Sequence, residues 1–390
     1  MNGQASSHWR RLAVGGAASL FVGMGLGRFA YSPMIPALAE AGALDTAMAG
    51  YVGACNIAGF LFGALAEPWL RARWGERRVL VTCLVVSCLC LAASAAPLSQ
   101  PWLFAWLAFW RGLVGITVGA LMVRSLAVVT RAAPLDKLGQ AAGIVFTGVG
   151  GGILLAGLVI PALLDYGLMA AWSGVALIGG LATAAGLWGW TAPFPAAGDG
   201  PAAPAGPAPP YDGRVIRLMA AQTLFTLGLI PHTIFWIDYI ARGLGHGMAF
   251  GGFHWALFGL GALTGTYLWG RLADAVGFRA GLVAVFLSLA LAAALPVPAP
   301  FLWALVFSSL VMGAQPGCSA LLSGRTQQLF GARDMPLVWR RMTLAGGIGQ
   351  GIGGYALVAL FDFTGSYLAV FLFGAAAMAA GAAVAATLRD

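Results

Sequence analysis

Long apolar stretches recur about twelve times along the 390 residues, and short polar or charged turns separate most of them. A helix that crosses a bilayer needs about 20 mostly apolar residues. The pattern therefore predicts an all-helical polytopic membrane protein with twelve transmembrane helices. The predicted helices cover residues 12–38, 47–69, 79–97, 101–130, 138–164, 168–192, 215–241, 248–272, 279–296, 300–325, 338–361 and 366–388.

One connection differs from the others in length and composition. Residues 193–213 read PFPAAGDGPAAPAGPAPPYDG, and a Pro/Ala/Gly stretch of this kind is a semi-stiff, solvated linker rather than a span. It divides the chain into two predicted six-helix bundles, 1–192 and 214–390, joined by a cytoplasmic linker.

Composition supports the membrane assignment and excludes several other classes of protein. Charged residues make up 9% of the chain and hydrophobic residues 60%, whereas soluble domains carry about 25% charged residues. The net charge of +8 comes from scattered arginines at helix ends. This pattern favours loops beside anionic lipid headgroups over nucleic-acid binding. The five cysteines all lie in apolar stretches without disulfide or metal spacing, so we expect neither a metal nor a cofactor.

The distribution of basic residues predicts the orientation. With the N-terminus inside, 18 of the 21 Lys and Arg residues lie in inside segments, Arg242 lies outside, and Arg28 and Arg111 lie within spans. Short inside loops are enriched in Lys and Arg. We therefore expect a bacterial-type inner membrane protein with both termini in the cytoplasm.

The two predicted halves resemble each other. Gly63-Ala-Leu-Ala-Glu67 ends the second span and Gly270-Arg-Leu-Ala-Asp274 ends the eighth, an offset of 207. Arg124 in the fourth span matches Arg325 in the tenth at an offset of 201. Duplicated halves around a central site are typical of secondary transporters.

Three motifs point to a family. Gly270 to Arg279 resembles the loop between the second and third spans of the major facilitator superfamily, although the first-half copy has Glu67 where Asp is usual. Arg111-Gly-Leu-Val-Gly115-Ile-Thr-Val-Gly119 resembles its fourth-span motif, and Gly25-Leu-Gly27-Arg28-Phe-Ala-Tyr31-Ser-Pro33 resembles the YbfB-like branch. The resemblance implies alternating access, usually driven by a proton gradient, and no particular substrate.

The same resemblance implies a gating role for acids and arginines at the ends of the second and eighth spans. An acid at a helix end beside arginines in the next turn can clamp one conformation and release it in another. The simpler alternative is that these arginines only anchor the topology. The gating candidates are Glu67, Arg77, Arg78, Asp274 and Arg279.

Arg28 and Arg111 are the most informative side chains. A charge near the bilayer centre costs about 2.5–3.5 kcal/mol or more, and arginine does not escape this cost by losing its proton. Each must face a partner, water or a bound anion, and a guanidinium matches the two oxygens of a carboxylate. The alternatives are a helix–helix bridge for Arg111, and a pairing of Arg28 with Glu40 or Asp238.

The other candidate residues are less specific. His232, Asp238 and His254 are the candidate proton carriers, since His titrates near neutrality and a desolvated Asp can do so. Each could instead be a packing residue or a solvated acid. The remaining candidates for substrate contact are polar or aromatic residues within spans: Tyr31, Asn56, Trp236, Gln315 and Gln350.

The sequence favours a monomeric, proton-coupled transporter of a small organic anion. Two alternatives remain open: a broad-specificity efflux pump of the same fold, and a membrane sensor that does not transport. Since paired carboxylates, metal-ligand spacing and a nucleophile arrangement are missing from the sequence, we do not expect an enzyme. The expected partners are an anionic small molecule, protons and the lipid bilayer, and not a nucleic acid.

Overall fold

The computed structural model describes residues 2–99, 101–134, 137–195 and 209–388. The middle of the predicted linker and Arg389 lie outside these ranges. Within them all regular secondary structure is helical, so the prediction of an all-helical chain is confirmed.

The first half contains seven α-helices and one strongly irregular stretch. Its elements are α1 (Asn2–Leu20), a π-helix (Phe21–Arg28), a 3-10 turn (Phe29–Tyr31), α2 (Met34–Glu40), α3 (Thr46–Trp74), α4 (Glu76–Ala93), α5 (Trp102–Ala132), α6 (Leu138–Leu164) and α7 (Leu168–Trp190).

The second half repeats this arrangement. Its elements are α8 (Gly213–Gly228), α9 (Ile230–Ile234), α10 (Trp236–Asp238), a π-helix (Tyr239–Gly243), α11 (Gly247–Val276), α12 (Phe278–Ala294), α13 (Leu302–Gly313), α14 (Pro316–Thr364) and α15 (Tyr367–Ala386).

Joined across the breaks in the first, seventh and tenth spans, and with α14 divided at Gly331, these helices form six segments in each half of the described chain. Eight helices are long and apolar enough to cross a membrane, and a ninth results if the pair Leu302–Gly313 and Pro316–Gly331, bent by 42°, is one span. The other three segments are α4, α11 and α12. Helix α4 opens with three charged residues, and α12 has only 17 residues.

The connection between the tenth and eleventh spans is a sharp kink. Helix α14 is divided into two helices at Gly331, where φ is 70° and ψ is 173°. A glycine adopts this conformation without the steric cost that a side chain would add. The stretch before it is rich in Arg, Gln and Leu, which have high helix propensity, so the chain stays helical without an apolar environment.

The first and seventh spans are both broken. The first changes from α to π to 3-10 geometry over Phe21–Tyr31, and the seventh is interrupted at Leu229 and Phe235. The offset of 207 between the halves places Arg28 opposite Phe235, so the two breaks coincide. Irregular turns of this kind often mark the functional site of a membrane transporter.

Glycines allow the helices to approach closely at these breaks. A Cβ atom placed on Gly25 would lie 2.7 Å from the Cα of Gly152 in α6, and the converse distance is the same. The glycine run in the first span is therefore a packing surface. Lipid-embedded helices associate through this kind of close backbone contact.

The two halves meet along α6 with α11 and along α3 with α14. A Cβ atom on Gly157 would lie 2.4 Å from the backbone nitrogen of Ala256, and one on Gly50 would lie 3.0 Å from Val358. By contrast, Gly143 and Gly270 have nothing within 4 Å of a Cβ position. Both glycines lie toward the arginine-rich turns and leave room for a side chain.

We call the end of the bundle formed by the α3–α4, α5–α6 and α11–α12 connections the basic end. The opposite end, which contains the α2–α3 and α6–α7 connections, is the far end. The contact of α6 with α11 at Gly157 and that of α3 with α14 at Gly50 both lie toward the far end.

Replacing Gly152 with Ala should destabilise the protein, because the new methyl group would overlap the backbone of Gly25. We expect a loss of about 1–3 kcal/mol, measured as a lower midpoint of thermal unfolding in detergent. Gly143→Ala on the same helix is the matched control and should be neutral or stabilising. Equal midpoints for the two variants would contradict the close contact.

Candidate functional site

The two embedded arginines converge. Arg28 ends the π-helix of the first span, and Arg111 lies in α5 with only 2% of its surface exposed. The Nη2 atom of Arg111 donates to the backbone oxygen of Arg28 at 3.1 Å. Both residues line a cavity of about 20 Å³, which we call the arginine cavity.

The protein does not neutralise this pair. Within the described residues, no carboxylate oxygen lies within 4.0 Å of either guanidinium. Instead the Cζ atom of Arg111 lies 4.7 Å from the ring centre of Tyr31, and that of Arg28 lies 5.4 Å from Phe60 and 5.6 Å from Phe29. Cation–π contacts are weaker than a buried ion pair, so two positive charges share one cavity.

Asp238 is not the partner of Arg28. Its buried carboxylate lies 3.1 Å from Arg242 and accepts a hydrogen bond from Tyr367. The Arg28–Asp238 pair considered from the sequence is therefore absent. The alternative that Asp238 is a solvated acid does not hold either, because its carboxylate is buried. Arg242 also donates to Thr46 of the first half, which places Asp238 beside a contact between the halves at the far end.

Asn56 positions the two arginine-bearing segments. Its Nδ2 atom donates to the backbone oxygen of Arg111 at 3.1 Å and reaches that of Gly27 at 3.5 Å. The Oδ1 atom of Asn56 and the Nε atom of Arg111 are buried and have no hydrogen-bond partner among the described residues. The cavity therefore contains both a spare donor on a cation and a spare acceptor.

The broken backbone of the first span explains part of this arrangement. A change from π to 3-10 geometry leaves carbonyl groups without helical partners, and these need other donors inside a membrane protein. Arg111 satisfies the carbonyl of Arg28, and Trp255 of the second half donates to that of Phe29 at 3.1 Å. The sequence analysis missed Trp255, because nothing in an aromatic-rich helix distinguishes it.

A second buried polar cluster lies wholly in the second half. His232 Nε2 lies 2.9 Å from Ser308 Oγ, while Trp236 Nε1 donates to Ser309 Oγ at 3.0 Å and His254 Nδ1 lies 2.9 Å from it. Trp236 therefore belongs with the two histidines and does not line the arginine cavity. The adjacent serines were missed, although two hydroxyls in an apolar span were a usable signal.

The other predicted contact residues divide between the two places. Tyr31 and Asn56 line the arginine cavity. Gln315 lies half-buried at the break between α13 and α14, and Gln350 is buried within α14; neither lines that cavity.

The gating candidates also divide. Glu67 is buried and pairs with Arg124 at 2.6 Å, and Glu76 bridges Arg124 at 2.8 Å and Arg131 at 2.5 Å. Arg77 instead donates to the carbonyl of Ala192 at 2.8 Å.

The remaining gating candidates are exposed, namely Arg78, Asp274 and Arg279. The ion-pair cluster at the basic end therefore has Glu67, Glu76, Arg124 and Arg131 as its members. Sequence reasoning recognised Glu67 and missed the roles of the other three, since they come from different helices.

A larger cleft of about 650 Å³ opens at the far end between α2, α6 and α11. Glu40 and Asp165 lie on it, beside apolar residues such as Pro161 and Phe253. It contains none of the predicted substrate or proton residues.

Comparison with known sequences identifies relatives. The profile of the family described as "Uncharacterised MFS-type transporter YbfB" matches residues 20–386. The chain is 32% identical over 145 residues to the "3-(3-hydroxy-phenyl)propionate transporter" of Escherichia coli (strain K12), covering 37% of this chain and 34% of that protein. It is 25% identical over 181 residues to the "Benzoate transport protein" of Acinetobacter baylyi, covering 44% and 37%. The chain thus aligns with about a third of the length of these curated relatives.

Comparison with solved structures identifies the fold. The crystal structure of a D-xylose–proton symporter matches with a TM-score of 0.73, 14% identity and 98% coverage of both chains. The inward-open structure of the xylose transporter XylE from E. coli matches with a TM-score of 0.75, 14% identity and coverage of 99% and 96%. This likeness confirms the predicted twelve-helix fold.

The buried Glu67 should contribute to stability, whereas its second-half counterpart should not. In Glu67→Gln, Arg124 loses one of its two carboxylates, and we expect a loss of about 1.5–3 kcal/mol. Asp274→Asn at the matching but exposed position should change stability by less than about 0.5 kcal/mol. Thermal unfolding in detergent measures both, and a neutral Glu67→Gln would contradict the contribution assigned to the cluster.

Proposed function

The chain belongs to the family of the MFS-type transporter YbfB, and from this premise we propose that it moves a small organic anion across the membrane by alternating access, coupled to protons. As a member of this family it is a multi-pass integral membrane transporter and not an enzyme. The observation that carries the substrate proposal is the convergence of Arg28 and Arg111 on one cavity without a carboxylate partner.

Electrostatics favours an anionic substrate. Two guanidinium groups within membrane-spanning helices repel each other and are costly to desolvate. A bound carboxylate offsets both costs, and the unpartnered Nε atom of Arg111 offers it a hydrogen bond. The names of the two relatives, a hydroxyphenylpropionate transporter and a benzoate transport protein, support an aromatic carboxylate.

The packing of the halves supports alternating access. Contacts between them are made by small residues, as at Gly157 with Ala256. Glycine-lined interfaces between α6 and α11 and between α3 and α14 would let the halves rock with little side-chain rearrangement.

Asp238 is the strongest candidate proton carrier among the three predicted residues. It is fully buried, and Arg242 joins it to Thr46 of the other half. Protonation would remove the charge that holds Arg242 and so weaken a far-end contact. His232 and His254 lie in an uncharged cluster with Ser308 and Ser309, and they are the alternative carriers.

The arginine cavity disfavours a pump for cationic compounds, because its described lining contains no acid. A sensor that binds without transport is distinguished by flux measurements alone. We propose a bacterial-type inner membrane, both termini in the cytoplasm, and a monomer.

Arg111→Gln and Arg28→Gln should each weaken benzoate binding about tenfold or more, since each removes a charged donor worth about 1.5–3 kcal/mol. Titration calorimetry on the purified protein in detergent measures the affinity. Arg271→Gln is the control, because its guanidinium is exposed beside Tyr267. Unchanged benzoate affinity in both cavity variants would overturn the anion proposal.

Asp238→Asn should uncouple benzoate transport from the proton gradient. In proteoliposomes at pH 7.5 we expect an imposed pH gradient to drive net benzoate movement by the native protein and not by the variant. Exchange of labelled for unlabelled benzoate should continue in both. Protein-free liposomes set the baseline, because neutral benzoic acid crosses bilayers unaided. Net movement that survives in the variant would assign coupling elsewhere, with His232→Gln and His254→Gln as the next tests.

A further inference from the structure

The hydrogen-bonding groups of the arginine cavity can be separated into those already engaged and those left over. The hydroxyl of Tyr31 donates to the backbone oxygen of Ala49 at 2.9 Å, and that of Ser32 donates to the backbone oxygen of Thr233. Neither hydroxyl hydrogen is available to a ligand. The Thr233 hydroxyl likewise donates to the backbone oxygen of Ile230 at 3.0 Å. These three hydroxyl oxygens can still accept hydrogen bonds, but the buried polar side-chain atoms of the lining that have no partner among the described residues are Arg111 Nε and Asn56 Oδ1.

The orientation of the Asn56 side chain follows from its neighbours. The two groups facing its Nδ2 atom are the backbone carbonyl oxygens of Arg111 and Gly27, and both can only accept hydrogen bonds. A flipped amide would place oxygen against these oxygens. Oδ1 is therefore the atom left over, on a residue that is 2% exposed.

A carboxylate alone cannot satisfy this atom. An ionised carboxylate accepts hydrogen bonds and does not donate them, so its oxygens would repel Oδ1 if they came close. A buried acceptor without a donor is costly, and a site that contains one discriminates in favour of ligands that supply the hydrogen. A ligand that combines an anionic group for the arginines with a separate donor for Asn56 would satisfy both sets of groups.

We propose that the substrate is a hydroxy-carboxylate, whose hydroxyl group donates to Asn56 Oδ1 while its carboxylate binds Arg28 and Arg111. This inference rests on the proposed anion transport and narrows its substrate class. The cavity volume of about 20 Å³ suits a single hydroxyl group or water molecule. The rest of the ligand requires the cavity to widen as the halves move.

The test uses the full-length protein in detergent and titration calorimetry at pH 7.5. The probes are benzoate, its three monohydroxy isomers and the three corresponding methoxybenzoates. A methoxy group keeps the oxygen and removes the donated hydrogen, so it separates hydrogen bonding from the addition of a polar atom. We expect at least one hydroxy isomer to bind about tenfold or more tightly than both benzoate and its own methyl ether.

Two variants test whether Asn56 is the residue that causes the tighter binding of the hydroxybenzoate. Asn56→Leu replaces the amide with an apolar side chain of similar size. It also removes the donor to the carbonyls of Arg111 and Gly27, so the readout is the ratio of hydroxybenzoate to benzoate affinity within each variant, and this ratio should fall to about one. Gln222→Leu is the matched control, because Gln222 is also a buried amide with an unpartnered oxygen but lies outside the arginine cavity. It should keep the full advantage. If Asn56→Leu fails to fold, Asn56→Ala takes its place.

The outcomes separate this inference from the proposed function. Equal affinities for benzoate and all of its hydroxy isomers would overturn the hydroxyl contact and leave the anion site intact, with water as the donor to Asn56. A hydroxyl advantage that persists in the Asn56 variant would also overturn it. If the folded protein binds none of these carboxylates, the proposed substrate class fails and this inference fails with it.

Discussion

A guanidinium inside a bundle of membrane-spanning helices keeps its charge, and the structure around Arg28 and Arg111 depends on that constraint. One arginine is held by the broken backbone of the first span, and the other is held by the side chain of Asn56 and the carbonyl of Arg28. Aromatic rings cover both cations without neutralising them. The protein thus retains two positive charges despite the free-energy cost of desolvating them. Such an arrangement is expected where a bound ligand supplies the opposite charge.

The ion pairs seen in the described part of the chain lie away from this cavity. At the basic end Glu67 and Glu76 hold Arg124 and Arg131, and at the far end Asp238 holds Arg242. Of these, the far-end pair reaches across to the other half, through Thr46. This division lets one set of charges stabilise a half by itself while another responds when the two halves separate.

Glycine explains how such a bundle both packs and moves. Close backbone approach at Gly25 with Gly152, and at Gly157 with Ala256, replaces the hydrophobic burial that drives soluble folds. Interfaces made of small residues are smooth, so one helix can tilt on another without releasing interlocked side chains. The breaks in the first and seventh spans lie beside these interfaces.

Local chemistry determined what the sequence alone could predict. Apolar length predicts the spans, the Lys and Arg bias predicts their orientation, and the embedded charges of Arg28 and Arg111 mark the candidate site. Each of these signals is a property of neighbouring residues and the bilayer. The tertiary structure decided which residues meet. Helix rotation brings Asn56 beside Arg111 and Asp238 beside Tyr367, while it places Trp236 beside Ser309 of another helix. Partners on different helices are set by packing between distant segments, and one sequence without its fold contains no record of that packing.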